Sequence, residues 1–129
     1  MESCVDESEG DTSILVVAKP GRLRDSLQVL LQLMPQLKVA GIASHSFLAM
    51  PMLARYHPAL VLLDADLPDD QAWILLRQMQ LAQPQARCLF LANSIEQQRA
   101  AGAAGASATL LKGFEAIELF TTIEKLLPH

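Results

Sequence analysis

Cysteine is scarce in this chain. Its 129 residues include two, Cys4 and Cys88, and these form no metal-binding or disulfide pattern. Cys88 stands in an apolar run and reads as a small buried thiol. No apolar run approaches the roughly 18 residues that a membrane crossing needs. The N-terminus lacks the basic-then-apolar order of a signal peptide. There is no dense basic stripe, so the electrostatic footprint of a nucleic-acid binder is missing. These absences predict a cytoplasmic protein with neither a nucleic-acid nor a membrane partner.

What the chain does have is apolar mass, 51% of its residues, enough for one domain with one core. The net charge of −4 is unevenly placed. Glu2, Asp6, Glu7, Glu9 and Asp11 all fall in the opening segment, and without them nine acids face ten bases. Residues 1–12 therefore read as an acidic disordered tail, and residues 13–129 as the domain.

Five short apolar runs punctuate that domain: "ILVV" (14–17), "LKVAGIA" (37–43), "ALVLLD" (59–64), "ARCLFLA" (86–92) and "ATLLK" (108–112). Runs of this kind are typical of strands buried on both faces. Helical spacing separates them. Leu23, Leu27, Leu30, Leu31 and Met34 form one stripe, which Pro35 stops. Further helices are predicted over 46–57, despite Pro51, and over 71–80, 94–105 and 115–128. Ser94 is the expected N-cap of the fourth helix, with Glu96 in its first turn. Five strands alternating with five helices predict an α/β domain, a (βα)5 doubly wound five-stranded parallel sheet. Function in such sheets gathers at the carboxyl ends of the strands. The residues there are Ala18 and Lys19, Ser44 and His45, Asp64, Ala92 and Asn93, and Lys112.

Asp64 is the anomaly among them. It ends a greasy strand, where a carboxylate is costly unless it has a partner or a task. Asp66, Asp69 and Asp70 follow it and read as a solvated turn rather than a substitute metal site. His45 and His57 have no helical partner and carry no expected metal or catalytic role. Trp73 reads as a core or partly covered residue. The "AAGAAGA" run is a weak helix, because it lacks the strand-loop-helix order of a phosphate-cradling loop.

Three features now converge: "VLLDADLP", "GASATLLK" and the order of elements around them. With these, the chain from about Ile14 to Leu127 resembles the CheY-like receiver domains of two-component response regulators. "LLD-x-x-LP" is similar to the family's "LLD-x-x-MP", and "GASATLLK" to "GAxGYLLK". The "LLK" ending and the "AGAAGA" approach are most like receivers joined to helix-turn-helix output domains. No such domain follows here, so a stand-alone module is expected. The resemblance implies a flavodoxin-like fold, with Asp64 at the phosphoacceptor position and Lys112 at the position that contacts the phosphoryl group. It also exposes departures. Ala18 and Lys19 stand where the family keeps a pair of acids for Mg²⁺. Ala92 replaces the switch hydroxyl, Thr109 the switch aromatic, and Ala72 a glycine.

Phosphoryl transfer is mostly positioning and charge neutralisation, much of it by metal. Mg²⁺ takes oxygen ligands, usually one or two carboxylates among them. Ala18 offers none, and Lys19 opposes a cation. Lys19 and Lys112 are instead expected to flank Asp64. One such pair at ~4 Å is worth roughly 4 kcal/mol at an effective dielectric near 20, before desolvation. The sequence thus predicts a non-enzymatic signalling domain that acts through protein–protein contacts, with no cofactor. Its partner is a histidine kinase, an output protein or a second copy of the chain. The resemblance implies a contact face formed by the fourth helix, fifth strand and fifth helix; Ile117, Leu119 and Phe120 of the last helix are its expected residues, since the apolar residues of that helix exceed a single inward stripe. One alternative keeps Mg²⁺-dependent phosphorylation of Asp64 by a histidine kinase. Another is a small-ligand sensor using the strand-end crevice.

Overall fold

The sheet order explains where the strand ends meet. In the computed structural model, which describes residues 12–127, five parallel strands run in the order β2-β1-β3-β4-β5. They are β1 (Thr12–Val17), β2 (Leu37–Ala43), β3 (Leu60–Asp64), β4 (Arg87–Ala92) and β5 (Ala108–Leu111). Between and after them come α1 (Arg22–Leu31), α2 (Ser46–Tyr56), α3 (Gln71–Ala82), α4 (Ile95–Ala103) and α5 (Ala116–Leu126). A short 3₁₀ turn, Pro68–Asp70, leads into α3. The expected doubly wound α/β architecture is the observed one.

Successive strand residues point to opposite faces, and both faces of this sheet are covered. Leu15, Val17, Val61, Leu63, Cys88 and Phe90 pack under α2, α3 and α4. Ile14, Val16, Leu60, Leu62, Leu89 and Leu91 pack under α1 and α5. This is why the strands read as continuous apolar runs rather than alternating ones. Trp73 lies half-buried against Phe90, with ring centroids 4.8 Å apart. Cys88 is fully buried, and burial pushes its thiol pKa up to about 12, so it stays protonated at neutral pH.

Several boundaries differ from the sequence reading. Strand β1 already includes Thr12, the last residue assigned to the tail. The rest of that tail, residues 1–11, lies outside the described residues. Pro51 sits inside α2, as expected. Ser94 caps α4 by accepting a hydrogen bond from the Gln97 amide at 3.1 Å. That helix ends at Ala103, two residues earlier than its alanine-rich pattern suggested. Gly105 takes φ +106°, the Gly105 amide donates to the Gly102 carbonyl, and the Ala106 amide donates to the Ala101 carbonyl. This is the Schellman arrangement that terminates a helix.

Gly105→Ala should therefore destabilise the fold by about 1 kcal/mol or more, because alanine disfavours that φ. A Cβ there would also lie 2.7 Å from the Gln80 side chain. Urea denaturation measures the loss, and equal midpoints for variant and parent would exclude this account.

Candidate functional site

The order β1-β3-β4-β5 brings Ala18, Asp64, Ala92 and Lys112 to one edge of the sheet, at the carboxyl ends of four adjacent strands. Asp64 closes β3 and is only 2% exposed. Its Oδ1 accepts the Asp66 amide at 2.9 Å. The same oxygen meets Lys112 Nζ at 2.5 Å. Lys112 follows β5, and its own amide stays bonded to the Ala92 carbonyl at 2.9 Å. That bond fixes the base of the lysine while its stem reaches over the end of β4 towards β3.

The ammonium serves two carboxylates. Lys112 Nζ also lies 2.8 Å from Asp66 Oδ2. Asn93 Nδ2 donates to Asp66 Oδ1 at 2.6 Å. The Asn93 amide in turn donates to Gln97 Oε1 at 2.7 Å. Asp64, Asp66, Asn93 and Lys112 thus form one network joining β3, β4 and β5. Asp66 was expected to be a solvated turn residue. It is 41% exposed, yet it is held on two sides. The loop after β3 turns straight back and brings the Asp66 carboxylate to the same cation as Asp64.

The hydrogen bond from Lys112 holds the Asp66 carboxyl below its ordinary value of 3.8. Partial burial opposes the shift, and Asn93 and the charges of Lys112 and Lys19 add to it. A depressed carboxylate contributes stability that is full above its unfolded pKa and is lost as pH falls through its folded one. Lys112→Met should therefore move the Asp66 titration back up towards the ordinary range. Carboxyl carbon shifts followed by NMR across the acid range check this, and an unmoved midpoint would count against the pair.

Lys19 does not do what the sequence reading assigned to it. It is exposed and forms no ion pair with Asp64, whose cation is Lys112. The physical reason is competition: Asp64 Oδ1 is already engaged by an ammonium and an amide, whereas an exposed ammonium keeps its hydration. Lys19 reaches the site only as the weakest of the influences on Asp66. Ala18 is buried and non-polar, and Ala92 is likewise buried at the end of β4. Thr109 Oγ1 accepts a hydrogen bond from Gln98 Nε2 at 3.1 Å, which joins β5 to α4.

The expected contact face needs a correction. Leu119 is fully buried and belongs to the core under α5. Phe120 is half-buried against that same core. The inward stripe of α5, Leu119, Ile123 and Leu126, is simply wider than the sequence reading allowed. Ile117 is 63% exposed, and Leu111 and Ile95 are exposed as well. A groove of about 350 Å³ lies between α4, β5 and α5 and is lined in part by Gln98, Leu111, Lys112, Phe114 and Glu118. The network lysine is thus also part of this outer surface.

No protein-family model matches the chain. No curated protein matches it. Solved structures do. A protein from Chloroflexus aurantiacus described as a response regulator superposes with a TM-score of 0.81 at 21% identity, over 90% of this chain and 97% of the other. A LuxR-family two-component response regulator from Aurantimonas gives 0.83 at 23% identity, over 90% and 84%. The signal receiver domain of a DNA-binding response regulator from Colwellia psychrerythraea gives 0.79 at 23%, over 90% and 98%.

The fold is that of response-regulator receiver domains. Receivers keep Mg²⁺ at this edge, as the sequence resemblance implies, so the donor set can be compared with that need. The end of β1 supplies a buried methyl group and a cation, and Asp64 faces an ammonium. Among the described residues, no three His, Cys, Asp or Glu side chains come together to hold a metal ion. Ala18 and Lys19 thus bring no side-chain carboxylate to this edge. Among the described residues, no helix is long and apolar enough to cross a membrane.

Proposed function

We propose that this chain is a receiver-like signalling module that works through protein contacts and does not use Mg²⁺-dependent phosphorylation. One observation carries the reading. Asp64 is neutralised by Lys112 at 2.5 Å, while the neighbouring strand end offers Ala18 and Lys19 where a metal would need oxygen. A phosphoacceptor needs its cation to gather the phosphoryl oxygens, and Ala18 and Lys19 offer it no carboxylate at the end of β1. The internal ammonium keeps Asp64 in a fixed, charge-balanced state. Thr109 is bonded to Gln98 and Ala92 has no hydroxyl, so neither position carries the side chain that the family uses as its switch. The module would then present one standing surface to a partner protein or a second copy.

The α4–β5–α5 face is the surface this reading favours. Ile117 and Leu111 are its exposed apolar residues, and its groove reaches Lys112. Ile117→Asp should weaken self-association at least tenfold, about 1.4 kcal/mol. Its effect on folding should stay within about 0.5 kcal/mol, the usual range for surface changes. A dilution series by sedimentation velocity, paired with thermal melts, measures both. Equal association constants would remove the face from the proposal.

Phosphorylation is tested directly by titrating Mg²⁺ with beryllofluoride, then with acetyl phosphate, while following the amide signals of Asp64, Ala92 and Lys112. The expected result is no saturable shift. Saturable shifts centred on Asp64 would establish the alternative, a live phosphoacceptor.

A further inference from the structure

We propose that the acidic segment 1–11 of this chain docks along the outer edge of β2 as an added antiparallel strand. Among the described residues, β2 pairs with β1 alone. At seven residues, Leu37–Ala43, it is the longest strand of the sheet. It holds no proline and one charge, Lys38. Its outer row of N–H and C=O groups is a template for an extended chain. The register against β1 shifts once, between Ile14 and Leu15, which bends such an edge without closing it. Both flanks of the edge are apolar. On the α1 side, a groove of about 180 Å³ is lined by Gln28, Leu31, Gln32, Leu37 and Val39. On the α2 side, a Cβ placed on Gly41 would lie 3.1 Å from Met52 Sδ, so α2 passes close over the edge strand. Leu48, one turn before Met52 on the same side of α2, is 45% exposed.

Charge selects the occupant. Between Asp25 and Asp64 the sequence has no Asp or Glu. That stretch builds most of α1 and all of β2 and α2, which together form the β2 end of the domain. Its bases, Lys38 and Arg55, are exposed. Arg24 lies one turn before Gln28, on the side of α1 that lines the groove. Its Nε is buried and has no hydrogen-bond partner among the described residues, so an acceptor is wanted there. A second copy meeting this end by two-fold symmetry would set these cations against their own equivalents. Residues 1–11 carry five acids and no Lys or Arg.

Connectivity favours the same segment. The Thr12 amide donates to the Gln36 carbonyl at 2.9 Å, so the chain enters β1 beside the first residue of β2. Reaching the outer edge means crossing two strand spacings, about 10 Å, a distance that Glu9, Gly10 and Asp11 can span. The eight residues before them match an edge strand of seven. In that arrangement Asp6 and Glu7 fall near Lys38, and Glu2 towards Arg24. Cys4 and Val5 take opposite faces of the strand, one for the groove and the other for Leu48 and Met52. Being tethered, the segment needs little intrinsic affinity to cover the edge. Acidic composition alone predicts no such place; the acid-free edge supplies it. The β2 edge is opposite β5 in the sheet, so this proposal and the α4–β5–α5 face can fail separately.

The test is amide hydrogen exchange on the full chain, isotope-labelled and followed by NMR. In the parent, the β2 amides that face away from β1 should be protected. Asp6→Lys with Glu7→Lys should speed their exchange at least about tenfold, and Lys38→Glu should do the same. Combining all three substitutions should restore protection, because the charges are then exchanged rather than removed. Thermal melts show whether each variant is folded. The parent alone gives a second measurement: salt at about 1 M, where the screening length is about 3 Å, should release the same amides. Unprotected outer amides in the parent would overturn the proposal, as would equal exchange in parent and variants. So would protection that rises with protein concentration, the mark of a second copy. Amide shifts in the Asp6→Lys, Glu7→Lys variant that centre away from residues 28–32 and 37–43 would overturn it as well.

Discussion

Replacing Lys112 by methionine will destabilise the fold by roughly 3 kcal/mol, the low end of what breaking a buried ion pair costs. Methionine keeps most of the stem and removes the charge. Asp64, 2% exposed, is then left with the Asp66 amide as its remaining hydrogen-bond donor among the described residues. The low end applies because the lysine itself keeps 20% exposure, so part of its charge is already answered by water. The pairing, rather than the lysine alone, is isolated by a cycle. Asp64→Asn removes the stranded charge, so the double variant should recover much of what Lys112→Met loses. Urea denaturation of the four proteins gives the coupling energy, expected at about 1–3 kcal/mol, the upper range for contacting residues. Additivity within about 0.5 kcal/mol would mean that the short contact contributes nothing.

The second large effect comes from returning the missing acids. Ala18→Asp with Lys19→Asp places two carboxylates at the end of β1, beside Asp64 and Asp66, and changes the local charge by about −3 at neutral pH. Position 18 is buried, so one new carboxylate also pays desolvation. In chelator the double variant should be less stable than its parent. Added Mg²⁺ should restore stability as RT ln(1 + [Mg²⁺]/Kd), about 2.7 kcal/mol at 100 Kd. The parent should not respond beyond ordinary salt effects. Calorimetric melts across a Mg²⁺ series, with an ionic-strength control, distinguish the two. A specific gain in the parent, or none in the variant, defeats the reading of this edge as a site without its metal.

Much of the fold was legible because burial on both faces leaves a plain mark. A strand such as Leu60–Asp64, apolar until its last residue, has few other places to go in a chain of this size. The positions of Asp64 and Lys112 followed from the strand ends. What the sequence did not disclose was which partner each side chain takes. Lys19 and Lys112 are both lysines at strand ends, and only three-dimensional competition for one carboxylate oxygen separates them. Asp66 looked like one more acid in an acidic loop, since no pattern marks a carboxylate that folds back two residues to share a cation. Leu119 illustrates a different limit. Apolar excess along α5 signals that a helix is widely covered, but not whether the cover is the domain's own sheet or another molecule. The Gln98–Thr109 bond joins residues eleven apart on different elements, a pairing that no helical or strand period encodes.

Lys112 reaches past the end of β4 to Asp64, and β5 is a four-residue strand that pairs, among the described residues, with β4 alone. Its backbone ladder is therefore short, and part of its attachment to the centre of the sheet is ionic. Salt weakens the exposed Asp66 arm more than the buried Asp64 arm. Fraying of the domain should accordingly begin at β5 and deepen with ionic strength, while β1 and β3 exchange their amide hydrogens only on global opening.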